Sequence, residues 1–224
     1  MNPPDREEAD EGGLQRLPPG RHGLPREFVV QNQRDRLAAG MIATVAAHGY
    51  HETTISQIAA AAGVSRRTFY SYFESKEACF EDTFALIEDH LVSVMGEAAE
   101  GPRGWPAKVR AQLGAMLEEL AENPDLVRFA LIAPPAAGGP FLARYHTFLR
   151  RLIGVVSGER PSRSRQPGEG AELAIAGGLA ALISGKVNAG EGEELPELLP
   201  ELVELVLTPY LGHERAAAEA RPAS

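Results

Sequence analysis

The segment TISQIAAAAGVSRRTFYSYF, residues 54–73, constrains the fold more than any other part of the chain. It predicts two short helices joined by a tight turn. Thr54 and Gln57 have the spacing of a capping box, in which each side chain bonds the backbone amide of the other residue. Gly63 stands where the first helix must end, because glycine enters the left-handed backbone region without a Cβ penalty. Ser65 is a natural N-cap for the second helix.

The second helix of this corner has an apolar face and a basic face. Phe69 and Phe73 are four residues apart and can anchor the helix to a core. The other side carries Arg66, Arg67, Tyr70 and Ser71 near the positive end of the helix dipole. Two adjacent arginines on the first turn suit guanine edges and phosphates in a major groove. The alternative interpretation is a solvated face with no ligand.

Residues 33 to about 87 resemble the DNA-binding domain of the tetracycline-repressor (TetR) family of bacterial transcription regulators. The matching motifs are RDRLAAGMIATVAAHGY, TTISQIAAAAGVS, TFYSYF and SKEACF. The resemblance implies an all-α protein of about nine helices, in which a three-helix helix-turn-helix domain precedes a larger helical ligand-binding and dimerisation domain. Behind the matching part, the chain resembles the family only in the number and length of its helices.

These patterns divide the chain into segments. We expect a disordered or basic N-terminal arm over residues 1–26, because its start is acidic, proline-containing and without periodicity. The DNA-binding domain is expected over residues 27–75, with its helix-turn-helix at 54–73, and a connecting helix over residues 76–96. The ligand-binding and dimerisation domain then occupies residues 97–212, and a disordered tail residues 213–224.

The charge distribution favours DNA binding although the chain as a whole is acidic. The net charge is −9, yet residues 15–80 carry eight Lys or Arg against five Asp or Glu. A basic module on an acidic body can bind DNA, because phosphate contacts are local and salt screens charges beyond about 8–10 Å. Arg21 and Arg26 lie in a proline-rich stretch that is either an arm reaching DNA or an ordinary linker.

We expect the DNA contacts to come from the corner and its flanks. The candidate residues are Thr54, Ser65, Arg66, Arg67, Thr68, Tyr70, Tyr72 and Lys76, with Arg21 and Arg26 as possible additions from the arm. Lys76 lies on the first turn of the connecting helix, where a cation opposes the helix dipole. The family resemblance implies that this lysine faces a phosphate.

The larger domain is expected to hold a small-molecule pocket, since that is where the resemblance places it. The candidate lining residues are Trp105, Met116, Phe129, Tyr145 and Phe148. Arg128, Arg144 and Lys186 could meet an anionic ligand if they were buried, but exposure is the ordinary state of such residues.

The last two helices, expected at about 169–189 and 195–211, indicate a homodimer. AELAIAGGLAALISG is rich in glycine and alanine, which lets a partner helix approach closely, and LPELLPELVELVLTPYLG carries more apolar residues than one packing face needs. Two such helices facing their symmetry mates make a four-helix interface. The alternative is that both are ordinary core helices. A dimer presents two recognition helices about 34 Å apart, which suits a palindromic operator.

The resulting hypothesis is a ligand-responsive transcriptional regulator that a small molecule releases from double-stranded DNA. It is a repressor if it follows the commoner mode of the family. The alternatives are an activator, or a sensor that acts mainly through a protein partner. No enzyme motif such as Walker A, G-x-S-x-G or H-E-x-x-H occurs, and we expect no cofactor or metal. A single cysteine, no signal peptide and the lack of an uncharged run long enough to span a bilayer predict a cytoplasmic protein that does not span a membrane.

Overall fold

The computed structural model of the chain describes residues 26–158, 160–161 and 167–221. Within these ranges the chain forms helices and no strand, which confirms the all-α class with a helix-turn-helix near the N-terminus. Eleven α-helices occur in the described residues, two more than expected. The excess arises because one mid-chain helix is divided and the end of the chain is helical.

The first three helices form a small unit that we call the head. They are α1 (Arg26–Glu52), α2 (Ile55–Ala61) and α3 (Arg66–Tyr72). Gly49 has φ +76° and interrupts α1 near its end, as expected for a glycine that stops a helix. The core of the head consists of side chains from all three helices that are at most 2 % exposed: Leu37, Met41, Val45, Ile58 and Phe69.

The remaining helices form the body. They are α4 (Lys76–Ala98), α5 (Trp105–Glu122), α6 (Pro124–Val127), α7 (Ala133–Ala137), α8 (Pro140–Ser157), α9 (Glu169–Asn188), α10 (Leu199–Leu211) and α11 (His213–Ala220). A π-helical turn, Arg128–Ile132, joins α6 to α7 without a break, and we call the whole stretch from 124 to 137 the π segment. The helix expected from residue 195 begins as a 3₁₀ helix, Gly192–Leu198, that contains Pro196. Proline has no amide hydrogen, so regular α-helix starts only at Leu199.

The end of the chain differs from the expected disordered tail. Residues 213–220 form α11, in which Ala216 and Ala220 are buried. Arg110 of α5 donates hydrogen bonds to the carbonyl groups of Glu219, Ala220 and Arg221, which are the acceptors left open at the end of a helix. For residues 213–220 the prediction of a disordered tail was wrong, because an alanine-rich helix gains its stability from a partner that lies 110 residues away in the sequence.

Head and body share a continuous aromatic core. The ring of Tyr50, at the end of α1, lies 5.0 Å from that of Phe80 in α4 and 4.5 Å from that of Phe141 in α8. Phe80 in turn lies 4.6 Å from Phe129 in the π segment. Since α1 also packs directly against the π segment, the head contacts the body through more than the connecting helix α4.

Helix α9 is unusually apolar for its position in the body. By length and composition alone, residues 170–188 could cross a membrane, with a mean hydropathy of 1.3, although core helices of soluble proteins reach the same value. Only 33 % of this stretch is buried within a single chain. The uncovered side carries small residues, among them Ala174, Ala181 and Gly185, which are exposed.

Candidate nucleic-acid interface

The corner between α2 and α3 is built by the local signals read from the sequence. The Gln57 amide donates to Thr54 Oγ1 at 3.3 Å, and the Thr54 amide donates to Gln57 Oε1 at 2.8 Å, which confirms the capping box. Gly63 has φ +62° and ends α2, as predicted. Ser65 Oγ accepts from the Thr68 amide at 3.0 Å and caps α3. These local hydrogen bonds hold the start of α3 at a fixed angle to α2.

Two residues of α1 support this corner and were missed in the sequence. The guanidinium of Arg36 is 9 % exposed and donates to the carbonyl groups of Ala62 and Gly63 at the turn. Gly40 lies where α2 crosses α1, and a Cβ atom there would lie 2.7 Å from the Ile58 carbonyl oxygen and 2.9 Å from the Ala62 amide nitrogen. A glycine in mid-helix was the available signal, since glycine weakens a helix unless packing requires it.

The outer face of α3 presents its basic side chains to solvent. Phe69 is fully buried and Phe73 nearly so, which fixes the inner face. Arg66 and Arg67 are exposed on the first turn, and Tyr70 is 51 % exposed. The face therefore offers two guanidinium groups and a phenol, at the end of α3 where backbone amides also point outward.

The other predicted contact residues lie around this face but are partly engaged within the head. The hydroxyl groups of Ser65 and Thr68 are 2.9 Å apart and share a hydrogen bond. The Tyr72 hydroxyl donates to Gln33 Oε1 at 3.0 Å, which ties α3 to α1. Thr54 is exposed at the start of α2. A role for these groups in DNA contact stays a prediction.

Lys76 has a structural role that the sequence did not reveal. Its ammonium group donates to the carbonyl oxygens of Tyr50 and Thr53, both at 2.9 Å, and lies 4.2 Å from the centre of the Tyr50 ring. Two of its three hydrogen-bond donors are therefore spent at the end of α1. These contacts explain a cation on the first turn of α4 without any phosphate.

Replacing Lys76 by methionine tests this role, because methionine keeps the length of the side chain and removes the ammonium group. Two carbonyl groups then lose a charged donor, so we expect the free energy of unfolding to fall by about 1–3 kcal/mol in a urea titration. Lys186→Met is the control, since the half-buried Lys186 pairs only with the exposed carboxylates of Glu191 and Glu194, and we expect little change. If Lys76→Met instead left the stability unchanged and lowered the slope of DNA affinity against salt concentration by about one, Lys76 would contact a phosphate.

The predicted N-terminal arm cannot be placed. Arg21 lies outside the described residues. Arg26 is the first residue of α1, and its side chain also lies outside the described part of the structure. The arm therefore stays a prediction from the sequence.

The body contains an internal apolar cavity of about 40 Å³, bounded by α4, α5, α8, α9 and the π segment. Of the five predicted lining residues, Met116 and Phe148 line it. Trp105, Phe129 and Tyr145 lie outside this lining, so a ligand contact by these three stays a prediction. The Trp105 indole donates to the Val156 carbonyl at 2.8 Å, and Phe129 packs against Phe80, so both complete the core.

The cationic residues considered for an anionic ligand are paired with carboxylates elsewhere. Arg128 contacts Asp125 at 3.0 Å, and Lys186 contacts Glu191 at 2.8 Å. Arg144 pairs with Glu88, a carboxylate of α4 that is 3 % exposed. None of the three cations lines the apolar cavity. Among the residues that the structure describes, no group of three or more His, Cys, Asp or Glu is arranged to hold a metal ion.

Sequence comparison matches the head to a known family. Residues 42–83 match the pattern described as "Bacterial regulatory proteins, tetR family". The HTH-type transcriptional regulator TcmR of Streptomyces glaucescens is 31 % identical over 113 residues, which are 49 % of this chain and 50 % of TcmR. The curated relatives are thus matched over no more than half of their own length.

Solved structures extend the similarity to the body. The fatty acid degradation regulator FadR from Bacillus halodurans superposes with a TM-score of 0.66 at 20 % identity, over 77 % of this chain and 97 % of that protein. FadR from Bacillus subtilis, solved in complex with stearoyl-CoA, superposes with a TM-score of 0.60 at 18 % identity, over 80 % and 98 % of the two chains. At these identities the similarity shows a common fold.

Proposed function

We propose that this chain is a cytoplasmic transcriptional regulator of the TetR family of bacterial regulatory proteins, the family that residues 42–83 match. It binds a palindromic operator as a homodimer and leaves it when a small molecule enters the body. The observation that carries the proposal is the exposed pair Arg66 and Arg67 on a helix whose inner face is locked by Phe69. A rigid helix with guanidinium groups at its start suits the edges of guanine in a major groove.

Dimer formation is supported by the uncovered apolar side of α9. Its exposed residues Ala174, Ala181 and Gly185 would let a second helix approach closely. Leu182 of α9 and Leu205 of the neighbouring α10 are only partly buried. A second copy of the chain would cover this surface symmetrically. The two heads would then read two half-sites in successive major grooves, which one head cannot do.

A charge placed in this surface tests the dimer. Ala181→Arg puts a guanidinium where two apolar helices would meet, so we expect a monomer by light scattering and a loss of operator affinity of at least about tenfold, because the two half-sites are no longer linked. Ala143→Arg is the matched control on the exposed face of α8. If Ala181→Arg stayed a dimer with full affinity, the interface would lie on another surface.

The release mechanism that we propose runs through the π segment as well as through α4. Leu126 lines the internal cavity and also a surface cleft against α1, where it lies with Ala39, Ile42 and Ala43. A ligand that widens the cavity would press this side chain and its helix toward α1. A shift of α1 changes the distance between the two recognition helices, and a ligand that binds only the shifted form lowers the population that fits the operator.

The experiment that tests the function is a salt-series titration of the purified protein with DNA from upstream of its own and neighbouring genes. Nanomolar, sequence-selective binding with a steep salt dependence would support a dimeric regulator. Binding that is weak and alike on all fragments would mean that the operator lies elsewhere or that an effector is required, as for an activator. No binding at low salt would favour the sensor that acts through a protein partner.

A further inference from the structure

The lining of the internal cavity limits the chemistry of the effector, and the inference drawn from it rests on the ligand response proposed above. The described side chains that form the lining are all hydrocarbon or thioether groups, from Leu, Ile, Val, Ala, Phe and Met. A polar group placed among them would lose its hydrogen bonds to water and gain none. The part of a ligand that enters this cavity is therefore a hydrocarbon.

The lining of the cavity extends along three helices of the body. Its lining runs from Leu113 to Leu120 on α5, from Phe148 to Val156 on α8 and from Ala176 to Ile183 on α9. Each of these spans is about two helical turns, or about 10–12 Å along its own axis. The free volume of about 40 Å³ is nevertheless room for only a few water molecules, far below the roughly 300–1,000 Å³ of a typical ligand pocket. Any ligand must therefore displace side chains as it enters.

The side chains around the cavity permit a flexible occupant more easily than a rigid one. Met95 and Met116 have unbranched, adaptable side chains that can turn aside within the packed helices. Ala176 and Ala180 keep the α9 wall low over one helical turn. A flexible hydrocarbon chain could fit between these side chains after rotamer changes. A rigid ring system would have to separate the helices themselves.

The opening of the cavity is marked by exposure. Among the described lining residues, all are buried except Leu126 of α6 and Leu152 of α8, which are partly exposed. A ligand enters where the lining reaches solvent, so its polar end would remain at one of these two leucines. We propose that the cavity binds an unbranched hydrocarbon chain of roughly eight to ten carbons, the length of the lined spans, with its polar end outside.

A chain-length series measured by calorimetry tests this proposal on the full-length protein. Straight-chain fatty acids of increasing length should bind about fourfold more tightly for each added methylene, and the gain should stop near ten carbons, when the cavity is full. 1-Adamantanecarboxylate, a rigid compound of similar carbon count, should bind at least about tenfold more weakly than decanoate. Affinity that is independent of chain length, or equal binding of the rigid compound, would overturn the proposal.

The polar end of the ligand is tested with three parallel series of increasing chain length, which include decanoate, 1-decanol and decanoyl-CoA. Because the polar end stays outside the cavity, affinity should depend on chain length in all three series. The series that binds most tightly then identifies the ligand as a free acid, an alcohol or a thioester. A series in which affinity did not depend on the length of the hydrocarbon would contradict a cavity that recognises the hydrocarbon.

Two variants locate the binding to this cavity. Ala180→Leu fills the low wall and should weaken decanoate binding about tenfold or more, whereas Ala143→Leu, the same change on the exposed face of α8, should leave it unchanged. Ile183→Val removes one methyl group from the α9 wall and should move the optimal hydrocarbon chain toward greater length, which keeps the test valid if Ala180→Leu does not fold. Unaltered binding and length optimum in both variants would place the ligand elsewhere.

The outcome is separable from that of the proposed function. If hydrocarbon ligands bind as described but do not release DNA, the ligand response is refuted and the inference stands. If the protein binds DNA selectively but binds no hydrocarbon ligand, the inference is refuted and the DNA-binding function stands.

Discussion

Gly40→Ala should cost the protein its DNA binding through a single added methyl group. The new Cβ would lie 2.7 Å from the Ile58 carbonyl oxygen and 2.9 Å from the Ala62 amide nitrogen. Both are backbone atoms, in α2 and in its C-cap residue, and they cannot rotate aside. The two helices must therefore separate. We expect a net loss of about 1–3 kcal/mol in the free energy of unfolding, even after the roughly 1 kcal/mol by which alanine favours a helix over glycine.

The effect on DNA binding should exceed the effect on stability. Arg36 of α1 holds the turn through the Ala62 and Gly63 carbonyl groups, so a displaced α2 also loses this support. A recognition helix misplaced by about 1 Å loses the bidentate geometry that base recognition requires. We expect operator binding to fall to the non-specific level while the dimer remains intact by light scattering.

Gly154→Ala is the control for this prediction. Gly154 lies within α8 and has nothing within 4 Å of the position of an added Cβ atom. The substitution should therefore stabilise the protein by up to about 1 kcal/mol and leave DNA binding unchanged. If Gly40→Ala bound the operator as tightly as the unmodified protein, the contact between α1 and α2 would not control the position of α3.

The features of the head that could be read from the sequence are those with local causes. The capping box, the glycine stop at Gly63 and the Ser65 cap each depend on residues at most three or four positions apart. The inner face of α3 followed from the spacing of Phe69 and Phe73. Local hydrogen bonds and helical periodicity are fully encoded in such short windows, so these predictions held.

The features that escaped prediction depend on contacts between distant residues. Lys76 donates across 26 residues to Tyr50, and Arg110 reaches across 110 residues to the end of α11. The cavity is lined from five separate segments, so aromatic content was a poor guide to it, and Trp105 proved to be a core residue bonded to Val156. One sequence contains no record of which distant helices meet, which limits such predictions to plausible candidates.

Arg66→Ala and Arg67→Ala together should remove most of the selective affinity for the operator. Each arginine that contacts a guanine edge contributes about 1–3 kcal/mol, and a homodimer loses every contact twice. Because both side chains are exposed, the free energy of unfolding should change by less than about 0.5 kcal/mol. The double variant should therefore remain folded and dimeric and bind all DNA fragments with similar, weak affinity.

Lysine substitutions separate base recognition from phosphate contact at the same positions. Arg66→Lys and Arg67→Lys keep the charge but lose the planar pair of donors, so affinity should fall if the arginine reads a base and persist if it contacts a phosphate. For a phosphate contact, the alanine variant should instead lower the salt dependence by about one ion per head. Arg103→Ala, an exposed arginine between α4 and α5, is the matched control and should leave both affinity and salt dependence unchanged. If the double alanine variant bound the operator with unmodified affinity, the recognition surface would have to lie outside α3, since no other described helix of the head presents two exposed arginines on one turn.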